Sequence, residues 1–385
     1  EWGAGISSDT AGNILATGAF CGSNFTLGAF TLSNLGLQNI FTVKYDDAGN
    51  ELWAKREGGV FVDNSSAIGT DASGNVYVTG NYYSPSITIG TSTLMNIGGD
   101  DVFLLKYDVN GNVLWSRSSG GPNSDESMSI CAIGNNEVLL TGFFKSSFMS
   151  FGSDTVYNSG SKDLFISKYD ANGNVLWVKS AIGAGNEIGY SLDHDLLGNI
   201  LISGSFSGNY FSWESDSIYK PYPSVDPSFV MKLDSGGHMI CSTALSSGGD
   251  DNNSLSVNLH GDVYFGGDFA IDPFILGNDT LALTGGEKIF VAKYYTACVN
   301  YSEVEENRTG LEFSISPNPS SGSFELKTQA GKWTFVIYDV SGRVVSGGEF
   351  QQEITIDLSK NINGLYLIQL TNRKGMVSKC LILQH

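Results

Sequence analysis

Lys44–Trp53 reads KYDDAGNELW, Lys106–Trp115 reads KYDVNGNVLW and Lys168–Trp177 reads KYDANGNVLW. The unit returns in eroded form from Lys232 (KLDSGGHMIC) and, cut to three letters, from Lys293 (KYY). The five lysines step by 62, 62, 64 and 61 residues. A second marker, the glycine closing a TG, SG or GG pair, stands at Gly18, Gly80, Gly142, Gly204 and Gly267, with steps of 62, 62, 62 and 63. Two independent markers in one register over five copies define an internal repeat. A repeat of this length is one supersecondary unit that must stack on its neighbours to bury its faces.

Each copy reads as strands. In the second, Ser66–Asp71 leads through a DxxGN turn into Asn75–Gly80 (NVYVTG), rich in the β-branched and aromatic residues that suit a pleated surface. Ile87–Gly90 and Thr91–Leu94 make a small hairpin, Asp101–Tyr107 a third strand and Val113–Arg117 a fourth. Such a sheet has two apolar faces that it cannot cover alone, so the expected architecture is all-β, a β-propeller of five visible repeats. The first copy lacks a preceding GNxLW strand and the fifth lacks a following one. The closing strand, or further blades, is therefore expected upstream of Glu1.

Composition narrows the function. The 385 residues hold 21 Lys+Arg against 40 Asp+Glu, a net charge of −19, which excludes nucleic acid as the natural partner because phosphates are bound by clustered Lys and Arg. Charged residues make up only 16% and glycines number 48, as expected of many short strands and tight turns, while 41% hydrophobic and 12% aromatic residues suffice for a large core. No apolar run reaches the roughly 18 residues of a transmembrane segment. The charge is unevenly placed: residues 311–385 carry 7 basic and 6 acidic side chains, leaving 14 and 34 to residues 1–310. Domains are accordingly expected at 1–297 (propeller) and 312–385, with a polar linker at 298–311. Five scattered cysteines without CxxC spacing read as mostly buried small side chains.

Several recurrent residues have a plain structural reading. DVNGN (Asp108–Asn112) and DANGN (Asp170–Asn174) echo calcium loops, but Gly comes fourth and no Glu follows at the ligand position, so they read as tight turns with a left-handed Gly. Phe41, Phe103, Phe165, Phe229 and Phe290, with Phe20, Tyr82, Phe144, Phe206 and Phe269, read as inter-blade core, and the strand lysines as snorkelling at a blade edge. An acid also stands seventeen residues before each marker glycine: Glu1, Asp63, Asp125, Glu187 and Asp250. As a ring around a channel mouth these acids would repel unless neutralised, giving calcium or another cation, or a basic partner, a place to sit. The competing reading is that each carboxylate accepts bonds from a neighbouring blade's backbone N–H groups. No other cofactor is indicated.

The units DASGNVYVTG, DDVFLLKYD and GNVLW resemble the bacterial SBBP-type β-propeller repeat over roughly residues 4–295. That resemblance implies a propeller on an extracellular or envelope protein and implies no activity. Beyond the polar stretch Tyr301–Gly310 the chain changes to short alternating strands, a small β-sandwich by pattern. It resembles the type A sorting domain of the type IX secretion system of Bacteroidota. The matching residues are Pro317, Asn318, Pro319 and Gly322; Tyr338, Asp339, Gly342 and Arg343 within IYDVSGRVV; Asp357-Leu358-Ser359; Gly364 and Tyr366 within GLYLI; and Lys379 near the end. The resemblance implies recognition by the type IX machinery and a secreted or cell-surface address.

No catalytic motif is written locally. His194, His238, His260 and His385 form no HExxH, GSFSG at Gly204–Gly208 places Phe where a nucleophile elbow needs Ser, and Asp193-His194-Asp195 falls where other copies carry strand-to-turn residues such as Thr70-Asp71. The expected function is a non-catalytic binding, adhesion or scaffold module for an extracellular glycan or protein. Tyr210, Phe211 and Trp213, read as an insertion in the fourth copy together with Tyr222, are the candidate contacts. The alternative is an enzyme acting on extracellular polysaccharide through carboxylates of different blades or a bound cation.

Overall fold

A computed structural model describes residues 1–134, 137–221, 226–245, 254–258, 262–269, 274–276, 279–281, 288–294, 313–318, 320–339, 343–372 and 375–383. These are all-β, without helix, and the chain forms two compact units, Glu1–Cys298 and Val299–His385.

The first unit repeats one antiparallel sheet. The second blade comprises Asp63–Thr70, Val76–Tyr82, Asp101–Tyr107 and Val113–Ser119, paired in that order. The first blade (Trp2–Ser8, Ile14–Phe20, Asn39–Tyr45, Glu51–Glu57), the third (Asp125–Ile133, Glu137–Phe144, Asp163–Tyr169, Val175–Ser180) and the fourth (Glu187–His194, Ile200–Phe206, Ser228–Leu233, Met239–Leu245) copy it. The fifth shows Ser254–Val257, Val263–Phe269 and Lys288–Tyr294. First strands of consecutive blades lie against one another, the arrangement of stacked propeller blades.

The quoted repeat explains this packing. The Lys belongs to the third strand and ion-pairs with the Asp of its own blade's first turn: Lys44 to Asp9 at 2.8 Å, Lys106 to Asp71 at 3.6 Å, Lys232 to Asp195 at 2.9 Å. Lys44 and Asp9 are both buried, so the snorkelling expectation is corrected: a cation this far from water needs a fixed carboxylate. The Asp opening each DxxGN turn is consumed locally. Asp170 Oδ1 accepts from the Asn172 and Asn174 N–H groups, and its Oδ2 accepts from Asn174 Nδ2. The closing Trp reaches the next blade, donating from Nε1 to the Val109 carbonyl (Trp53, 3.1 Å) and to that of Ala171 (Trp115, 2.9 Å).

The marker glycines answer a close approach. The first strands of the first four blades carry a bulge, at Gly3/Gly5, Ser65/Ala67, Ser127/Ser129 and Gly189/Ser191, and the marker glycine pairs beside it. The bulged strand's carbonyl then lies where a Cβ would stand: 1.9 Å from that point at Gly80, 2.0 Å at Gly142 and 1.9 Å at Gly204. Only glycine fits there.

Among the described residues, the stack exposes apolar side chains at both ends. Ile68, Ile130, Leu192 and Leu255 occupy one repeat position, each turned to the preceding blade and 6–8% exposed, whereas Ile6 at the same position is 74% exposed. On the opposite face Leu104 and Ile166 are buried by the following blade, but Val291 is 80% and Ile289 88% exposed. Among the described residues, the outer faces of the first and fifth blades do not cover each other.

The second unit is one antiparallel sheet of Phe313–Ser316, Ser323–Asp339, Val344–Asp357, Gly364–Asn372 and Gly375–Leu383. A register shift between Lys327 and Lys332 divides its longest strand, whose two halves contribute Phe324 and Leu326, and Phe335 and Ile337, to a single core with Trp333, Tyr366 and Leu381.

Candidate functional site

Three of the recurrent acids lie at the seams between blades. Glu1 is exposed, Asp63, Asp125 and Glu187 are wholly buried, and Asp250 lies outside the described residues. Asp63 is saturated: Oδ2 accepts from the Gly59 N–H at 2.6 Å and the Ser84 hydroxyl at 2.8 Å, and Oδ1 from the Ser84 N–H at 3.1 Å. Asp125 repeats this with Lys145 N–H, Ser146 N–H and the Ser146 hydroxyl. Each such carboxylate ties the start of the first strand to the residues just past the second.

Glu187 differs. Among the described residues, neither of its oxygens has a hydrogen-bond partner. The serine that holds the acid in the second and third blades is Gly208 in the fourth, where an added Cβ would stand 3.7 Å from Glu187 Oε1. The first blade shows the same exchange, with Glu1 and Gly22. Aspartate goes with serine and glutamate with glycine, because the longer acid takes the space of the missing hydroxymethyl group. Across the seam stands Asp163, whose Oδ2 accepts from the Ser159 N–H and hydroxyl while Oδ1 is unpartnered. Burial first, then the Asp163 charge, pushes the Glu187 carboxyl up to about 8. At the preceding seam, burial raises Asp101 to about 7 and Asp125 to about 6. At the first seam the position of Asp101 and Asp163 is held by Asn39, whose amide donates to the Gly59 carbonyl at 2.9 Å.

A second cluster joins two first strands. Cys131 of the third blade and Asp193 of the fourth occupy the same repeat position, and His194 follows. Cys131 Sγ lies 3.3 Å from His194 Nδ1 and 3.9 Å from Asp193 Oδ1. Burial, reinforced by the Asp193 charge, pushes the thiol well above its ordinary range. Both Asp193 and Cys131 share the His194 nitrogen, so this is not a nucleophile–base–orienter relay, which uses the two ring nitrogens separately. Asp195 is a turn residue paired to Lys232. Cys21 is an exposed free thiol and Cys241 is disulfide-bonded, which corrects the expectation that most cysteines are simply buried.

The outer hairpins correct another expectation. Tyr210–Trp213 is no insertion: it is the hairpin strand in register with Ser86–Ile89 and Phe148–Phe151. Strand alternation turns Phe211 and Trp213 into the core, where Trp213 Nε1 donates to the Gly237 carbonyl at 3.0 Å. Tyr210 faces out beside Tyr219, ring centroids 5.6 Å apart and planes 33° from parallel. The third blade presents Phe148 and Tyr157 at the same paired positions, both exposed. Tyr222 lies outside the described residues.

In the second unit the turn residues quoted for sorting hold the sheet together. Asp339 accepts from the Arg343 N–H at 3.1 Å and pairs with its guanidinium at 3.2 Å, the Gly322 carbonyl accepts from the Leu358 N–H at 2.7 Å, and the Tyr366 hydroxyl donates to the Ile362 carbonyl at 2.7 Å. Pro317, Asn318 and Gly364 sit at strand ends, while Pro319 and Gly342 lie outside the described residues. Residues 314–384 match the family model described as the secretion system C-terminal sorting domain. The C-terminal unit is a sorting domain. The protein is therefore exported by the type IX system to the cell surface or the extracellular space. The first unit is similar to parts of larger proteins. An uncharacterized WD repeat-containing protein, L264, of Acanthamoeba polyphaga mimivirus is 27% identical over 186 residues, 43% of this chain and 13% of that protein. Regulatory protein FlaEY of Caulobacter vibrioides is 30% identical over 146 residues, 36% of this chain and 15% of that protein. The chain thus matches only a small part of either relative's length.

Proposed function

We propose that the exported blade stack is a binding module for an extracellular glycan, contacted through its outer hairpins, on repeats of the SBBP type in a Bacteroidota host. The paired exposed rings of Tyr210 and Tyr219 carry this reading. Two neighbouring aromatic faces in water offer the apolar platform on which the C–H face of a sugar ring packs. Phe148 and Tyr157 repeat the platform on the adjacent blade, whereas the same pairs in the first and second blades are Asn24/Ser33 and Ser86/Met95. The aromatic pairs therefore depart from the repeat on two neighbouring blades, and a repeat does not need them for its fold.

The test is a glycan array probed with the full chain, followed by titration of the best hit. Tyr210→Ala/Tyr219→Ala is expected to weaken that hit at least tenfold while the unfolding midpoint stays within a degree or two, since both residues are exposed. Binding unchanged in this variant would remove the hairpin site. Release of reducing ends from the bound glycan would make the protein an enzyme instead.

A further inference from the structure

We propose that Cys131 Sγ, Asp193 Oδ1 and His194 Nδ1 form a binding site for a single zinc-like divalent ion at the seam of the third and fourth blades. The three atoms are separated by 3.3 Å (Sγ to Nδ1), 3.9 Å (Sγ to Oδ1) and 3.7 Å (Nδ1 to Oδ1). The point equidistant from atoms so spaced lies about 2.1 Å from each, and bound zinc stands about 2.3 Å from sulfur and about 2.0–2.2 Å from nitrogen or carboxylate oxygen. Among the described residues, no other set of three such donors converges in this way.

The ligands are already held. The Asp193 carboxylate is fixed by the His194 N–H to Oδ1 at 2.8 Å and by the Val257 N–H of the fifth blade to Oδ2 at 2.7 Å, so it needs no reorientation to meet an ion. Cys131 rides on the adjacent first strand, and the blade stack sets the distance between the two. The side chains of His194 and Asp193 are a third and a quarter exposed, which leaves an entry path and a fourth position for water. Thiolate, imidazole and carboxylate together select a borderline metal over calcium or magnesium, which take oxygen alone. The donor set also departs from the repeat. Where Cys131 and Asp193 stand, the other blades carry Ser7, Gly69 and Ser256, and where His194 stands they carry Ser8, Thr70, Ala132 and Val257.

The full chain, reduced and stripped with a chelator, is titrated with zinc by calorimetry and with cobalt(II) by absorption. The expected result is one ion per chain, with a thiolate-to-cobalt charge-transfer band. Cys131→Ser and His194→Ala should each weaken zinc binding at least tenfold, and Cys131→Ser should abolish the band. Cys21→Ser should change neither. Should a variant fail to fold, the wild type decides: zinc should slow alkylation of Cys131 at least tenfold, read by peptide mapping, while alkylation of Cys21 is unaffected. Absence of zinc uptake, a band that survives Cys131→Ser, or alkylation of Cys131 indifferent to zinc would each overturn the site and leave a thiol–imidazole hydrogen bond in its place.

Discussion

Ile68→Ala and Ile130→Ala are each expected to cost about 3 kcal/mol of stability, whereas Ile6→Ala costs less than about 0.5 kcal/mol. All three occupy one repeat position. Ile68 packs over Gly5 among Leu15, Ile40 and Trp53 of the first blade, and Ile130 packs among Val102, Leu104 and Trp115 of the second. Truncating either leaves a cavity between two sheets that cannot collapse without breaking the Trp-to-carbonyl bonds joining the same blades. Ile6 packs against no other blade among the described residues and is largely exposed. Guanidinium unfolding of the three variants measures the difference directly. An Ile6→Ala loss as large as that of Ile68→Ala would show that something covers the first blade's outer face.

The same position shows how far the sequence could be read. Period and strand order follow from the lysine, glycine and tryptophan markers because each marker has a local job: an ion pair, a carbonyl approach, a bond to the next turn. The outer hairpins are legible too: the alternation of Ile87/Ile89 and Met149/Phe151 continues one repeat further in Phe211/Trp213, which makes those aromatics core. The Cys131–Asp193–His194 cluster escapes a linear reading for a different reason. Cys131 stands 62 positions from Asp193 and 63 from His194 along the chain and meets them only once blades stack. Reading down one repeat position across the copies, rather than along the chain, brings them together, and it also exposes the exchange of Asp63/Ser84 and Asp125/Ser146 for Glu187/Gly208.

That exchange leads to the second large effect. Glu187 keeps its proton in the folded chain until about pH 8, whereas an unfolded Glu loses it near about 4.3. Between these values the folded state binds a proton that the unfolded state does not, so this group makes stability fall as pH rises from about 5 to 8 and level off above. Asp101 (about 7), Asp125 (about 6) and Glu57 (about 7) act in the same direction. Asp9, held at about 2 by hydrogen bonds from Asn13 and Lys44 that outweigh its burial, acts oppositely, and its contribution is lost only in acid. Asp163→Asn copies the first seam, where Asn39 donates to the Gly59 carbonyl; the equivalent carbonyl beside Asp163 is that of Gly183. The variant removes the charge facing Glu187 and supplies a donor. It should match wild type near pH 4.5 and exceed it by about 2 kcal/mol at pH 8, less than half of what a shift of that size is worth in full. Taking the difference between variant and wild type at each pH cancels the titrating groups other than Glu187 and Asp163, and burial raises the Asp163 carboxyl in the same direction. A difference that does not grow from pH 5 to pH 8 would mean that the charge of Asp163 does not help to hold the proton on Glu187.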